Sequence, residues 1–339
     1  MKAQRIYGPG DVRAEELPSQ PVGENCVKIK ILKAAVTHSD NLIYEGTRSV
    51  KYPVTLGRHC VGMVTEVGEA VKGYARGNKV AVSPIKACRK CSECAAGRFD
   101  SCLNKLEYGV GEDGFFRDFA VVGAEDLYKL PERIEDSEAM FLEQIATAIN
   151  IVGKLGLEKG EHIAIVGATV TGIILAQVAI YYQAVPVLMD LRRDRLDVAS
   201  NFGVYYTVDT TESDAHKKIF SLTGGRMAET CAYMAQGIMP LTRTFDFLSN
   251  RGRMAICIPD GAKELSADLS VAVKKQLDLF GISGMGKNIP SAINMLANKS
   301  VKVAPLISKE VKFDEVPEAL KEMGQHPDKY VKVIVNMDS

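Results

Sequence analysis

Residues 162–190 read HIAIVGATVTGIILAQVAIYYQAVPVLMD, and the order of elements in this stretch decides the fold. His162-Ile163-Ala164-Ile165-Val166 is a short apolar strand, the run from Gly167 to Gly172 is a glycine turn, and a long apolar helix extends to about Gln183. A second strand, Val185-Pro186-Val187-Leu188-Met189, ends at Asp190. This is a βαβ unit with a carboxylate at the tip of its second strand, an arrangement suited to a dinucleotide. In G-x-G-x-x-G the second glycine lets the backbone approach the pyrophosphate; here the run is Gly167-Ala168-Thr169-Val170-Thr171-Gly172, so Thr169 takes that place. Gly167, Thr169, Val170 and Gly172 are the expected cradle. Asp190 is expected to accept hydrogen bonds from the adenosine ribose and to repel a 2′-phosphate, which favours NAD(H). Arg192 and Arg193 just beyond soften that preference and leave NADP(H) possible. The alternative is a doubly wound sheet with an empty crevice.

Working outward, the runs 228–234, 253–258 and 277–282 are further short apolar strands of a parallel sheet covered on both faces. The chain before residue 130 differs. It is rich in valine, glycine and turn residues, with alternating runs such as Val27-Lys28-Ile29-Lys30-Ile31, and reads as an irregular β domain. The expected division is a mainly β domain over 1–145, a dinucleotide-binding domain over 146–288, and a return to the first domain over 289–339 through a closing strand, 330–335.

Cys88, Cys91, Cys94 and Cys102 form C-x2-C-x2-C-x7-C. Four thiolates at these spacings enclose a tetrahedral Zn2+ with no open position, which makes the site structural; four reduced thiols without metal is the alternative reading. Clustered cysteines fit a reducing compartment better than a disulfide framework. Cys231 and Cys257 fall in buried strands as inert thiols, and His162, His216 and His326 are given no role.

The chain has 339 residues, with 42 Lys and Arg balancing 42 Asp and Glu. Without a charge excess or a long like-charge run there is no footprint for nucleic acid or a membrane surface, so a small-molecule substrate is expected. No apolar run reaches the roughly 20 residues of a membrane span, and no leader is evident, so a cytoplasmic location is expected.

Taken together, the chain resembles a medium-chain dehydrogenase/reductase of the zinc-containing alcohol, polyol and threonine dehydrogenase group. The resemblance implies a Rossmann domain joined to a GroES-like catalytic domain, and a homodimer or homotetramer paired through the strand at 277–282. In that group a C-x-[ST]-D run and a G-H-E-x-x-G run supply catalytic zinc ligands. Here they read Thr37-His38-Ser39-Asp40 and Gly57-Arg58-His59-Cys60-Val61-Gly62. Glu143 alone keeps a third-ligand position of polyol-type members. A threonine hydroxyl is a poor zinc ligand and a guanidinium repels the ion, so no catalytic zinc is expected.

Arg58 is then expected to pair with Asp40, Glu143 or both, either plugging the vacant site or also donating to a substrate oxygen. The resemblance places Ser39 on the substrate oxygen and His38 at the cofactor pyrophosphate, and a usual relay histidine falls at Leu42. His59 becomes the leading proton donor, with Tyr44 and His38 behind it. A rearranged metal site of His59, Cys60 and Glu143 is a further alternative. The expected activity is hydride transfer without catalytic zinc, on a carbonyl, polyol-type or enone substrate. The rival is a non-catalytic binding or regulatory protein on the same fold.

Overall fold

The computed structural model describes residues 1–235, 237–258, 264–326 and 332–337. Two compact units emerge, one from Met1–Leu142 with Val303–Ser339 and one from Glu143–Lys302.

The second unit is built on six parallel strands in the order Tyr206–Asp209, Val185–Asp190, His162–Val166, Ala228–Tyr233, Leu248–Ile256, Asp278–Gly281. Ile163, Ala164, Ile165 and Val166 are fully buried, as expected of a strand with helices on both faces. The helix Val170–Tyr181 is apolar on every side, and Ile173, Ile174, Leu175, Ala176, Val178 and Ala179 all lose their water contact. Each such aliphatic side chain contributes about 1.5–3 kcal/mol by leaving water.

Residues 289–302 stay with this unit instead of returning to the first. The physical reason is local: Gln177 on that helix donates to the carbonyl of Lys302 at 3.0 Å and accepts from its N–H at 2.9 Å.

In the first unit a seven-stranded sheet runs Leu127–Lys129, Lys79–Val82, His59–Val67, Cys26–Val36, Val333–Asn336, Lys309–Lys312, with Phe119–Gly123 also paired to Cys26–Val36. Val27, Ile29 and Ile31 are fully buried in the core while Lys30 points to solvent, the period of two read from the sequence. The strand Cys26–Val36 carries two register shifts against His59–Val67, and the pairing closes with Ala34 opposite Cys60 and Ala35 opposite His59. The closing strand Val333–Asn336 pairs antiparallel with Cys26–Val36. Tyr330 and Val331, included in the expected strand, lie outside the described residues.

Candidate active site and metal centre

The strand Cys26–Val36 delivers the chain into a short helix, His38–Tyr44, capped by Thr37. Thr37 N–H donates to Asp40 Oδ2 at 2.9 Å and Asp40 N–H donates back to Thr37 Oγ1 at 3.4 Å, forming a capping box, while Thr37 Oγ1 donates to the same carboxylate oxygen at 2.5 Å. Asp40 Oδ1 accepts from Gly57 N–H at 2.8 Å. Gly57 has φ of 98°, and an added Cβ would meet Phe116 at 2.9 Å, so glycine is required there. Asp40 is 1% exposed, and its carboxylate serves backbone and Thr37. The expected Arg58–Asp40 ion pair does not form, because both carboxylate oxygens are drawn into this local loop.

Arg58 turns to a residue the sequence reading missed. Its Nη1 donates to Glu107 Oε2 at 2.7 Å. A second guanidinium reaches the same oxygen, with Arg48 Nη2 donating at 3.0 Å. Arg48 Nη1 also donates to Ser39 Oγ. Ser39, Arg48, Glu107 and Arg58 thus form one chain of hydrogen bonds, largely shielded from water, which strengthens each contact. Neither Arg48, in a loop after the helix, nor Glu107, in the two-residue strand Leu106–Glu107, stands in a spaced motif that points to the site.

His59 is buried beside Lys332, also buried, with Nδ1 to Nζ at 3.1 Å. With Lys332 as an ammonium, which only donates, His59 Nδ1 is the acceptor of this contact. Lys332 Nζ also lies 5.3 Å from the centroid of the Phe141 ring. Lys332 was within the expected closing strand but had no assigned role. His38 is exposed at the first turn of its helix, and Glu143 is half-buried in the first turn of Leu142–Leu155 in the other unit.

Cys88, Cys91, Cys94 and Cys102 bring their four Sγ atoms within 4.8 Å of one another. Among the described residues this is the only group of three or more His, Cys, Asp or Glu side chains so placed. Burial pushes the Cys60 thiol up. Within the cluster the N–H of Lys90 holds Cys88 down to about 6 and the N–H groups of Cys94 and Leu103 lower Cys91, while burial and the neighbouring sulfurs push Cys94 up to about 12. Thiolates with backbone donors fit a tetrahedral zinc, whose roughly 2.3 Å bonds need sulfurs this close. The loop is pinned by Arg89, which donates to the buried Asp126 at 3.1 Å and stacks 4.0 Å from the Phe99 ring centroid.

In the second unit, Gly167 has φ of 119° and an added Cβ would meet Ala235 at 2.8 Å. A Cβ on Gly172 would lie 2.0 Å from the carbonyl of Gly167, so both glycines of the turn are required. Thr169 is the helix N-cap, its hydroxyl accepting from Gly172 N–H at 3.0 Å. The supposed loss of a glycine is therefore a cap, which leaves the N–H groups of Val170 and Thr171 as the helix-end donors for a phosphate. Asp190 is 3% exposed, with Oδ2 accepting from Ala168 N–H at 2.7 Å and Oδ1 from Arg192 N–H at 3.0 Å. These bonds aim the carboxylate at the turn and leave lone pairs for ribose hydroxyls. The Arg192 guanidinium forms a two-pronged pair with Asp194 at 3.0 and 2.5 Å.

Residues 23–132 match the alcohol dehydrogenase GroES-like domain and residues 170–298 match the zinc-binding dehydrogenase domain. An uncharacterized zinc-type alcohol dehydrogenase-like protein of Haemophilus influenzae is 30% identical over 336 residues, spanning 98% of each chain. Sorbitol dehydrogenase of Halalkalibacterium halodurans is 28% identical over 91% of each chain. Among solved structures, a short chain alcohol dehydrogenase of E. coli CFT073 complexed with NADH superposes with a TM-score of 0.90 at 24% identity over 99% of each chain. An Escherichia coli oxidoreductase/dehydrogenase of unknown specificity reaches 0.93 at 18% identity over the full length of both.

Proposed function

This chain belongs to the zinc-type alcohol dehydrogenase-like family of medium-chain dehydrogenases, and from that premise we propose an NAD(H)-dependent oxidoreductase that handles its substrate oxygen with side chains instead of a second zinc ion. The coarse activity is that of an NAD(P)-dependent alcohol or polyol dehydrogenase. The observation that carries the finer reading is the 2.7 Å pair between Arg58 and Glu107. Where relatives of this type place zinc ligands, Thr37 is tied to Asp40 and Arg58 is a fixed cation. A neutral hydroxyl already engaged with Asp40 is a poor zinc ligand and a guanidinium repels the ion, so this donor set does not fit a catalytic zinc.

A bound nicotinamide supplies or accepts the hydride. The N–H groups of Val170 and Thr171, on the turn that Gly167 and Gly172 shape, would hold its pyrophosphate and Asp190 its ribose, with His38 a further phosphate contact. The four-cysteine lobe would hold one structural Zn2+. Loss of the Lewis acid disfavours simple alcohol oxidation and favours reduction of a carbonyl or of an activated C=C bond. In carbonyl reduction the C=O electron pair closes onto oxygen as hydride reaches carbon. Ser39 gives that oxygen a proton and regains one from solvent. His59 is the second donor.

Sugar or polyol derivatives are the preferred substrate class, in keeping with Glu143 and the sorbitol dehydrogenase relative. Pairing of two copies is proposed through Asp278–Gly281, an edge strand whose neighbouring helix exposes Val273 at 75%. No helix among the described residues is long and apolar enough to cross a membrane.

A non-catalytic binding protein remains the rival, favoured by the Thr169 hydroxyl that occupies one cradle N–H. Titration with NADH, followed by its consumption against aldehydes, ketoses and enones, separates the two. Binding with turnover of one class supports the enzyme; binding without any turnover supports the rival.

A further inference from the structure

We infer that Arg48 is a positioning residue for Ser39, holding its hydroxyl as a proton donor; the inference rests on the carbonyl-reducing role proposed above. Arg48 Nη1 donates to Ser39 Oγ, and Nη2 donates to Glu107 Oε2 at 3.0 Å. With two prongs engaged, the plane of the guanidinium is fixed. A guanidinium has donors only, so Ser39 Oγ is the acceptor and its own O–H must point elsewhere. Among the described residues no acceptor takes that proton. Ser39 itself is 8% exposed, on a helix start locked by the Thr37–Asp40 capping box.

The charge acts as well as the geometry. A cation against the hydroxyl favours the alkoxide that remains once the proton has left, so Ser39 becomes a stronger acid in a poorly hydrated place. Glu107 keeps Arg48 from swinging into solvent, and it brings Arg58 into the same array. The cation that acts on the reacting oxygen is thus Arg48 through Ser39, with Arg58 one carboxylate further away.

The test has two arms on the full-length protein. In the first, melting temperatures of Ser39→Ala, Arg48→Met and the double variant form a cycle that needs no turnover. Non-additivity of about 2 °C or more is expected for a direct contact, and additive shifts overturn the assignment whatever the activity. In the second, carbonyl reduction with NADH is followed for wild type, Arg48→Met and Arg48→Lys. Arg48→Met is expected to lower kcat about 100-fold, with little change in NADH affinity, and to raise the solvent deuterium isotope effect. Arg48→Lys should recover part of the loss, and added guanidinium ion should restore part of the rate of Arg48→Ala. Unchanged kcat and isotope effect in Arg48→Met overturn the inference. Coupled melting temperatures in a wild type that binds NADH yet reduces no carbonyl overturn the carbonyl-reducing reading instead, and the proton-donor role falls with it.

Discussion

Arg58 and Glu107 meet at 2.7 Å in a pocket where the Arg58 side chain is 11% exposed. Glu107 also receives Arg48, so one carboxylate oxygen serves two cations. Replacing Glu107 by Gln leaves both guanidinium groups against a neutral amide. Breaking a fully buried pair costs about 3–5 kcal/mol; with partial exposure, Glu107→Gln should lose about 1–3 kcal/mol in urea unfolding. A change within error would mean that the pair is solvated and contributes nothing.

Thr169 gives the second expectation. Its hydroxyl takes the Gly172 N–H that a dinucleotide would otherwise meet. Thr169→Ala should cost about 1 kcal/mol of stability and Thr169→Gly only a few tenths. Thr169→Gly also frees one donor, worth about 1 kcal/mol, so NADH should bind roughly 3–10-fold tighter by fluorescence titration. Weaker binding in Thr169→Gly would show that the threonine contacts the cofactor directly.

Arg117 is 3% exposed, and its Nε and Nη1 find no hydrogen-bond partner among the described residues. Burial lowers its affinity for the proton, which marks the charge as costly. A poorly paired buried cation destabilises, so Arg117→Met should raise stability by about 1–3 kcal/mol in a thermal or chemical melt. Loss of stability would point to a buried counter-charge or water array at this position.

Glu310 joins the closing strand to the rest of its sheet. The Asn336 amide at 3.0 Å holds its carboxyl below the ordinary value of 4.5, with Lys33 adding to the effect. A depressed folded pKa stabilises above the unfolded value and loses that stabilisation as pH falls through the folded one. The advantage of wild type over Glu310→Gln should therefore be constant above about pH 5 and shrink below 4.5. The side chain is 42% exposed, so the difference should stay under about 1 kcal/mol. An advantage that grows on acidification would reverse the assigned sign.

The parts of the fold legible in the sequence are those set by short-range rules. The alternation at Val27, Ile29 and Ile31, the strand–turn–helix run at 162–181 and the spacing of Cys88, Cys91, Cys94 and Cys102 each follow from a local period or a metal's geometry. The candidate-site network was only half legible, because Arg48, Glu107 and Lys332 reach their partners across 9, 49 and 273 positions of sequence. No period encodes such meetings. Of the partners expected for Arg58, which were Asp40, Glu143 or both, the Asp40 branch fails for a related reason: a carboxylate three residues after a threonine can cap a helix, and that local bond outcompeted the distant guanidinium. Likewise the end of the second unit was set too early, since the two hydrogen bonds of Gln177 to Lys302 leave no mark in hydrophobic pattern.

The claim on which the chemistry turns is that a fixed guanidinium stands where relatives of this type bind a reactive ion. Elemental analysis of the purified chain tests it most directly. One zinc per chain, released only when the four-cysteine lobe is oxidised or replaced by serine, is the predicted result. Close to two zinc ions per chain, with one surviving loss of that lobe, would contradict it.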